Sequence, residues 1–473
     1  MTTRELERSV TRRTATADVA VPVVIALVVL ILGALRVGDR SLWADELFTL
    51  DFVLRPIVKV IADLQHEAAM GPYYLVLVVW TRFGDSASWL RMFSVVGAAA
   101  TAVATYELVR QNLGRRVALV SVVGLVCNPV FVRNATELRA YSWMMFATVL
   151  TTALVLRVSS RPDSTWTLVG FGIGAGVLIA LNIFCVFFVA VQLGWAVLQS
   201  RPRDRARIAL IVSASIAAVL IPFLPAYATS DQVTWIPPLS LDQVRSVAVD
   251  SLGGNVWLVV LLLGTVCSVA MLASGRGSHR ARSLVVLAIA SSTAFSAGLL
   301  VLAVFRPVLV SRYLSPMVPL VVIAASYGLV VGLATFTDRG SMGRSVLSAA
   351  LVAFYLIGFP GSPFRDPVYG EDFRSVGQFL SSHVEPGDAV VLHPSWLLRG
   401  VEYYWRPNTD VIAWDADQGR LLTTKEQNAQ SKEYCRVFSV DRQPPVREPD
   451  PDASVRRFMG RFGWLTITRI DRC

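Results

Sequence analysis

The stretch SLWADELFTL, residues 41–50, sets two adjacent carboxylates, Asp45 and Glu46, among apolar and aromatic neighbours just beyond a long hydrophobic run. A carboxylate within hydrogen-bonding reach of a hydroxyl can take its proton, a contribution of about 10²- to 10⁴-fold in rate. Adjacent side chains on a helix point in different directions, so one of the two serves as such a base and not both. The other is left to orient a substrate, to support its neighbour or to bind a cation. The pair also fits two roles without chemistry, a solvated loop acid and a helix N-cap. Further polar residues stand beside apolar runs: His66 and Glu67 in LQHEAAMGPYY, Glu137, Arg139 and Tyr141 in ATELRAY, Arg312 and Tyr313 in FRPVLVSRYLSPMVP. The acids and the histidine are ligand types for a divalent cation, but no spacing demands a metal.

The elements that must position these residues are apolar helices. Of 473 residues, 54% are hydrophobic and 16% charged, more apolar and less charged than a usual soluble domain. Runs of about 17 to 22 apolar residues recur between about residues 19 and 360, each long enough to cross a hydrocarbon core of about 30 Å. The first run, from Val19 to about Val37, is longer than a typical signal-peptide core and lacks a clear small-x-small cleavage site, so it reads as an uncleaved helix. The net charge of +10 does not indicate nucleic acid, because the basic residues fall in short loops between apolar runs and form no patches interleaved with aromatics.

Those loops set the topology. RELERSVTRR, RQNLGRR, RVSSRP, RPRDRAR, GRGSHRAR and DRGSMGR carry the arginine excess expected on the cytoplasmic side. Eleven spans follow, near residues 19–37, 90–110, 116–133, 141–157, 166–181, 183–199, 207–226, 255–274, 283–304, 314–335 and 344–360. GPYYLVLVVWTRFG, residues 71–84, is too short for a span and is expected to lie on the outer surface; counting it as a span would put RQNLGRR outside. All the polar residues above then fall on the outer side, near helix ends, where a charge escapes most of the cost of a mid-membrane position. The glycines of GFGIGAG, residues 170–176, read as close helix packing and not as a nucleotide loop.

After residue 361 the apolar runs stop. EDFRSVGQFLSSHVEPGDAVVLHP reads as a helix, a Pro-Gly turn and a buried strand; TDVIAWD, CRVFSV and WLTITRI are further strands, and DASVRRFMGRFG is a helix between the last two. The organisation expected is a helical membrane domain over 1–360 and a small α/β domain over 361–473 on the outer side. There, Cys435 and Cys473 could pair in an oxidising compartment, while Cys127, Cys185 and Cys267 read as small core residues. His393, Trp396, Glu402, Tyr403, Tyr404 and Trp405 could offer sugars a stacking surface, although aromatic residues at strand ends more often pack a domain.

LWADELFT, GPYYLVLVVWTRFGDSASWLRMFS, NPVFVRNATELRAYSW and VSRYLSPMVPL, in this order, resemble the motifs of GT-C membrane glycosyltransferases related to protein O-mannosyltransferases and bacterial aminoarabinose transferases. EDFRSVGQFL, PGDAVVL and EYYW resemble the domain appended to some bacterial members. The resemblance implies a polytopic α-helical GT-C-like fold of about eleven spans with outer juxtamembrane helices. It implies transfer of a sugar, usually with inversion, from a polyprenyl-phosphate-linked donor to a hydroxyl on the extracytoplasmic face. It assigns the base to Asp45, with Glu46 beside it. The departing phosphate needs positive charge, which makes Arg312 the first candidate and Arg139 the second, since arginine offers paired and permanently charged hydrogen bonds. Arg312 also fits an interfacial anchor. His66, Glu67, Tyr73, Glu137, Tyr141 and Tyr313 are the substrate-binding candidates; Arg91 and Ser94 also fit the family pattern, with holding a helix start as the plainer alternative. Relatives using lipid-monophosphate donors commonly work without a metal, so no cofactor is required, and a divalent cation is left open. Two departures stand out: Gly71-Pro72 replaces a pair of prolines, and Thr136 replaces a glutamine before Glu137.

The expected partners are a polyprenyl-phosphate sugar, membrane lipids and a glycan, lipid or protein acceptor, in a multi-pass inner-membrane protein with a cytoplasmic N-terminus. A composition rich in Ala, Val and Arg suits a high-GC bacterium and a decaprenyl carrier. The rival classes are a transporter or flippase, which internal repeats or mid-membrane charges would favour, and an inactive scaffold of the same fold.

Overall fold

The computed structural model describes residues 20–67, 69–229, 236–332, 370–406, 409–415, 420–442 and 455–472. Contacts divide the chain into two compact units, residues 1–35 with 53–364, and residues 36–52 with 365–473. Residues 36–52 thus pack with the C-terminal residues.

In chain order, α1 (Ala20–Ala34) of the first unit is followed by α2 (Ala44–Val53), which belongs to the second unit up to residue 52, then by α3 (Ile57–Asp63) and α4 (Gly71–Trp80) of the first. Next come α5 (Ala87–Leu113), α6 (Arg115–Val126), α7 (Pro129–Ala135), α8 (Tyr141–Ser160), α9 (Thr165–Leu181), α10 (Val186–Gln199) and α11 (Pro202–Leu220). The series closes with α12 (Leu224–Thr229), α13 (Leu241–Leu252), α14 (Asn255–Ala273), α15 (His279–Phe305) and α16 (Val318–Tyr327), the last entered through a 3₁₀ turn, Ser311–Met317. Local chemistry sets several starts. Ser86, Ser164 and Ser278 each accept a backbone N–H in the first turn of α5, α9 and α15. Asn128 caps α7 by accepting from Val130 and Phe131, with Pro129 at the first helical position.

Among the described residues, six helical segments are long and apolar enough to cross a membrane: 87–113, 141–160, 202–226, 255–273, 279–305 and 311–332. The α6–α7 pair, bent by 66° at Asn128, makes a seventh if counted as one span. Apolar helices also stand at 20–34, 165–181 and 183–199, but they are shorter, so among the described residues helix length and composition support six or seven spans, and the expected count of eleven is not confirmed. The span expected near 344–360 lies outside the described residues. At about 1.5 Å per residue, the ten residues of α4 reach only about half the hydrocarbon thickness, as the sequence indicated. Apolar residues remain exposed along α11, α14 and α15, among them Leu210, Val256, Leu263 and Val304, as a lipid-facing surface requires. GFGIGAG lies within α9, against α11: a Cβ on Gly172 would stand 2.5 Å from Ser215 Cβ, and one on Gly176 2.8 Å from Val219 Cβ. These glycines permit the close approach, as expected of small residues between membrane helices.

The second unit is built on a five-stranded sheet in the order β2-β1-β5-β7-β6. Its strands are β1 (Ala389–His393), β2 (Asp410–Ile412), β5 (Arg436–Arg442), β6 (Val455–Phe462) and β7 (Leu465–Asp471), with a short β3–β4 pair, Trp414–Asp415 and Arg420–Leu421. β1 runs parallel to β2 and β5, while β7 is antiparallel to β5 and β6. Ala389, Val391, Ile412, Leu422, Val437 and Ile470 pack together as a core. The helix expected from EDFRSVGQFL is present, Phe373–His383, with Asp372 as its cap. DASVRRFMGRFG is not a helix: residues 455–462 form edge strand β6, joined to β7 by a two-residue turn at Gly463-Trp464. Val455, Phe458, Met459 and Phe462 have helical spacing, but pairing with β7 overrides it, and Gly463 adopts the positive φ of 60° that the tight turn needs. Cys435 is disulfide-bonded, and its carbonyl accepts from the Arg472 N–H at 2.8 Å; Cys473 lies outside the described residues.

Candidate active site

Within the first unit, the sequence motifs converge around the loop between α7 and α8. Arg139 donates from Nη1 to the Tyr74 hydroxyl at 3.4 Å, and its carbonyl accepts from Ser94 Oγ at 3.1 Å. The loop is therefore tied to α4 through a side chain and to α5 through the backbone. Ser94, inside α5, thus ties that helix to the residue two before α8. Glu137 is buried, 3.9 Å from Arg133 Nε, so a guanidinium offsets part of the cost of its charge. Tyr73 is buried in α4 with its ring 5.5 Å from Phe93, and Tyr141 is buried at the first position of α8.

Arg312 and Tyr313 stand in the 3₁₀ turn that enters α16. The Arg312 guanidinium lies over the Tyr313 ring at 6.0 Å, that ring lies 5.5 Å from Phe184, and the Tyr313 carbonyl accepts from Asn182 Nδ2 at 3.4 Å. Both residues are half-buried, and the turn packs on α8, the helix that carries Tyr141. His66 and Glu67 follow α3, His66 exposed and Glu67 partly buried.

The acids of SLWADELFTL belong to the second unit. Asp45 and Glu46 occupy the first turn of α2 and differ sharply in exposure: Glu46 is fully buried and Asp45 half-buried. Glu46 Oε2 accepts from the Trp43 N–H at 3.3 Å, so the third helical residue reaches back to the residue before the helix, as in half of a capping box. That leaves Asp45 as the more accessible of the two. The next N–H, that of Ala44, goes to Glu371 Oε2 at 3.4 Å, and Glu371 Oε1 meets Arg442 Nε at 2.9 Å. Burial raises the Glu371 pKa, the Asp45 charge adds to the rise, and Arg442 and backbone hydrogen bonds pull it back.

Glu371, Arg442 and Tyr74 carried no role in the sequence reading. Glu371 had one signal, an acid beside Gly370 and the aromatic Phe373; Tyr74 had its place in the aromatic pair. Among the described residues, no group of three or more His, Cys, Asp or Glu side chains could hold a metal ion.

The fold is the GT-C fold, and the chain is a multi-pass membrane protein. ArnT from Cupriavidus metallidurans in the apo state superposes with a TM-score of 0.60 at 13% identity, covering 96% of this chain and 98% of that one. The same protein bound to undecaprenyl phosphate gives 0.57 at 12% identity, with coverage of 96% and 98%. Over residues 67–227 the sequence matches the family model described as dolichyl-phosphate-mannose-protein mannosyltransferase. That match takes in Tyr73, Ser94, Glu137, Arg139 and Tyr141. No curated protein matches the chain.

Proposed function

We propose that the protein transfers a sugar from a polyprenyl-phosphate donor to a hydroxyl of a cell-envelope acceptor on the extracytoplasmic face, with inversion. The observation that carries this reading is the fold shared over nearly the whole chain with ArnT, a protein that binds undecaprenyl phosphate. The family match over 67–227, across the Glu137, Arg139 and Tyr141 loop, supports it. Asp45 takes the acceptor proton as the acceptor oxygen bonds to the anomeric carbon; the carbon–oxygen bond to the lipid phosphate breaks, and that phosphate leaves as the anion. Arg312, with Arg139, neutralises the charge that develops on the phosphate. Glu46 serves the helix that carries the base. His66, Glu67, Tyr73, Glu137, Tyr141 and Tyr313 bind the substrates. The chain crosses the inner membrane eleven times from a cytoplasmic N-terminus, with domains 1–360 and 361–473. The disulfide at Cys435 supports an oxidising compartment for the second.

The test is turnover of radiolabelled polyprenyl-phosphate sugars by purified protein in lipid with cell-envelope extract. Donor-dependent product that falls at least 10²-fold in a folded Asp45→Asn variant is the expected result. Movement of an intact substrate without product would make the protein a transporter instead.

A further inference from the structure

Residues 38–44 are held against the C-terminal residues through their backbone. The Arg374 guanidinium donates to the carbonyls of Gly38 at 3.3 Å and Arg40 at 3.4 Å, and the Arg374 N–H donates to Ser41 Oγ at 3.2 Å. The Leu42 N–H donates to the Tyr404 hydroxyl at 2.8 Å, and the Ala44 N–H to Glu371 Oε2 at 3.4 Å. Glu371 is itself fixed. It is 2% exposed, it bridges to Gly463 through its backbone, and its other oxygen meets Arg442. The Arg442 guanidinium is stacked in turn, 5.4 Å from the ring centroids of both Trp396 and Trp464. A chain of contacts therefore runs from two indoles through a guanidinium and a buried carboxylate to the first N–H of α2, and the next residue is Asp45.

An ion pair between a buried carboxylate and an exposed guanidinium adds little net stability, because desolvation of the carboxylate offsets the screened attraction. What it supplies is direction. A carboxylate with one oxygen on a stacked guanidinium leaves the other in a single place, and the helix terminus must meet it there. Misplacing a reacting group by about 1 Å can cost about 10²-fold in rate. The stack also bears on the carbohydrate-platform reading of this region, since Arg442 already covers a face of Trp396.

We infer that Glu371, backed by Arg442 between Trp396 and Trp464, is a positioning residue for Asp45, so that the C-terminal residues set the geometry of the transfer reaction. This rests on the reading of Asp45 as the base. Glu371 touches neither substrate nor donor; it acts through the first turn of α2.

Steady-state and single-turnover kinetics of the full chain in lipid test this, using a radiolabelled donor that the wild type turns over. Glu371→Ala is expected to lower kcat about 10- to 100-fold while the donor KM stays within about twofold. The double variant with Asp45→Asn is expected to be no slower than Asp45→Asn alone, because a badly placed base and an absent one cost the same step. Wild-type kcat in Glu371→Ala overturns the inference, and so does an equal further loss in the Asp45→Asn background, which is the mark of general damage. If Glu371→Ala does not fold, Glu371→Asp keeps the charge pair, draws the carboxylate back by one methylene and is expected to show the same loss in kcat alone; unchanged kcat there overturns the inference. Asp45→Asn at the wild-type rate removes the base assignment itself, whatever Glu371 does.

Discussion

Arg139 Nη1 donates to the Tyr74 hydroxyl at 3.4 Å, which joins the loop before α8 to the short helix α4 through one side-chain contact. If Arg139 helps to hold the donor phosphate, its guanidinium must be aimed, and Tyr74 is one of the groups that aims it. Tyr74→Phe is therefore expected to raise the donor KM about 3- to 10-fold, the size of one ordinary hydrogen bond, with little change in protein stability. Donor titrations on wild type and variant give the answer; an unchanged KM removes Tyr74 from that role.

Arg312 lies over the Tyr313 ring, and the planar guanidinium suits both the ring and an oxyanion. Arg312→Lys keeps the charge but loses the fork and is expected to lower kcat/KM about 10- to 100-fold, and Arg312→Ala further. An interfacial anchor predicts the opposite pattern, with Lys as good as Arg and full activity. The two variants, compared by kcat/KM in the same lipid, separate these cases.

Glu46 is fully buried and accepts the Trp43 N–H, so its removal is expected to act on the helix rather than on proton transfer. Glu46→Ala should destabilise the C-terminal unit by about 1–2 kcal/mol, as loss of a cap does. Glu46→Gln, which keeps the acceptor oxygen, should recover most of that. Hydrogen exchange of the α2 amides reports both effects.

Glu426 closes a capping box with Thr423 and pairs with Arg420, and the Arg420 and Thr423 hydrogen bonds lower its pKa from 4.5 to about 2. Depression in the folded state means stability that is fully present above pH 4.5 and lost as pH falls through about 2. In Glu426→Gln the protection of the helix Thr424–Gln430 is expected to vary less over that window, as hydrogen exchange at stepped pH will show. An acid limb identical to wild type would exclude Glu426 as its source.

Much of this architecture was legible because the membrane imposes a coarse rule: an apolar run of span length forms a helix. The runs at 87–113, 141–160, 255–273 and 279–305 obey it directly. Near residues 165–199 it blurs, since the helix breaks at Asn182 leave segments shorter than a standard span. β6 was misread because Val455, Phe458, Met459 and Phe462 mimic a helical stripe, and only the partner strand decides against it. The loop of Glu137, Arg139 and Tyr141 stands out in the sequence through its motif. Glu371 does not, because what singles it out is the Ala44 N–H from 327 residues earlier in the chain, and no local pattern carries that distance.

That distance has a consequence for biosynthesis. The residues that flank Asp45 leave the ribosome more than 300 residues before Glu371, Tyr404 and Arg442, with the transmembrane bundle made in between. The first turn of α2 therefore has no mould to set against until the helical bundle has been made. A chain stalled or clipped before residue 371 carries every apolar helix of the described bundle and still lacks the anchor for the proposed base. If Asp45 is the base, such a copy is expected to be inert.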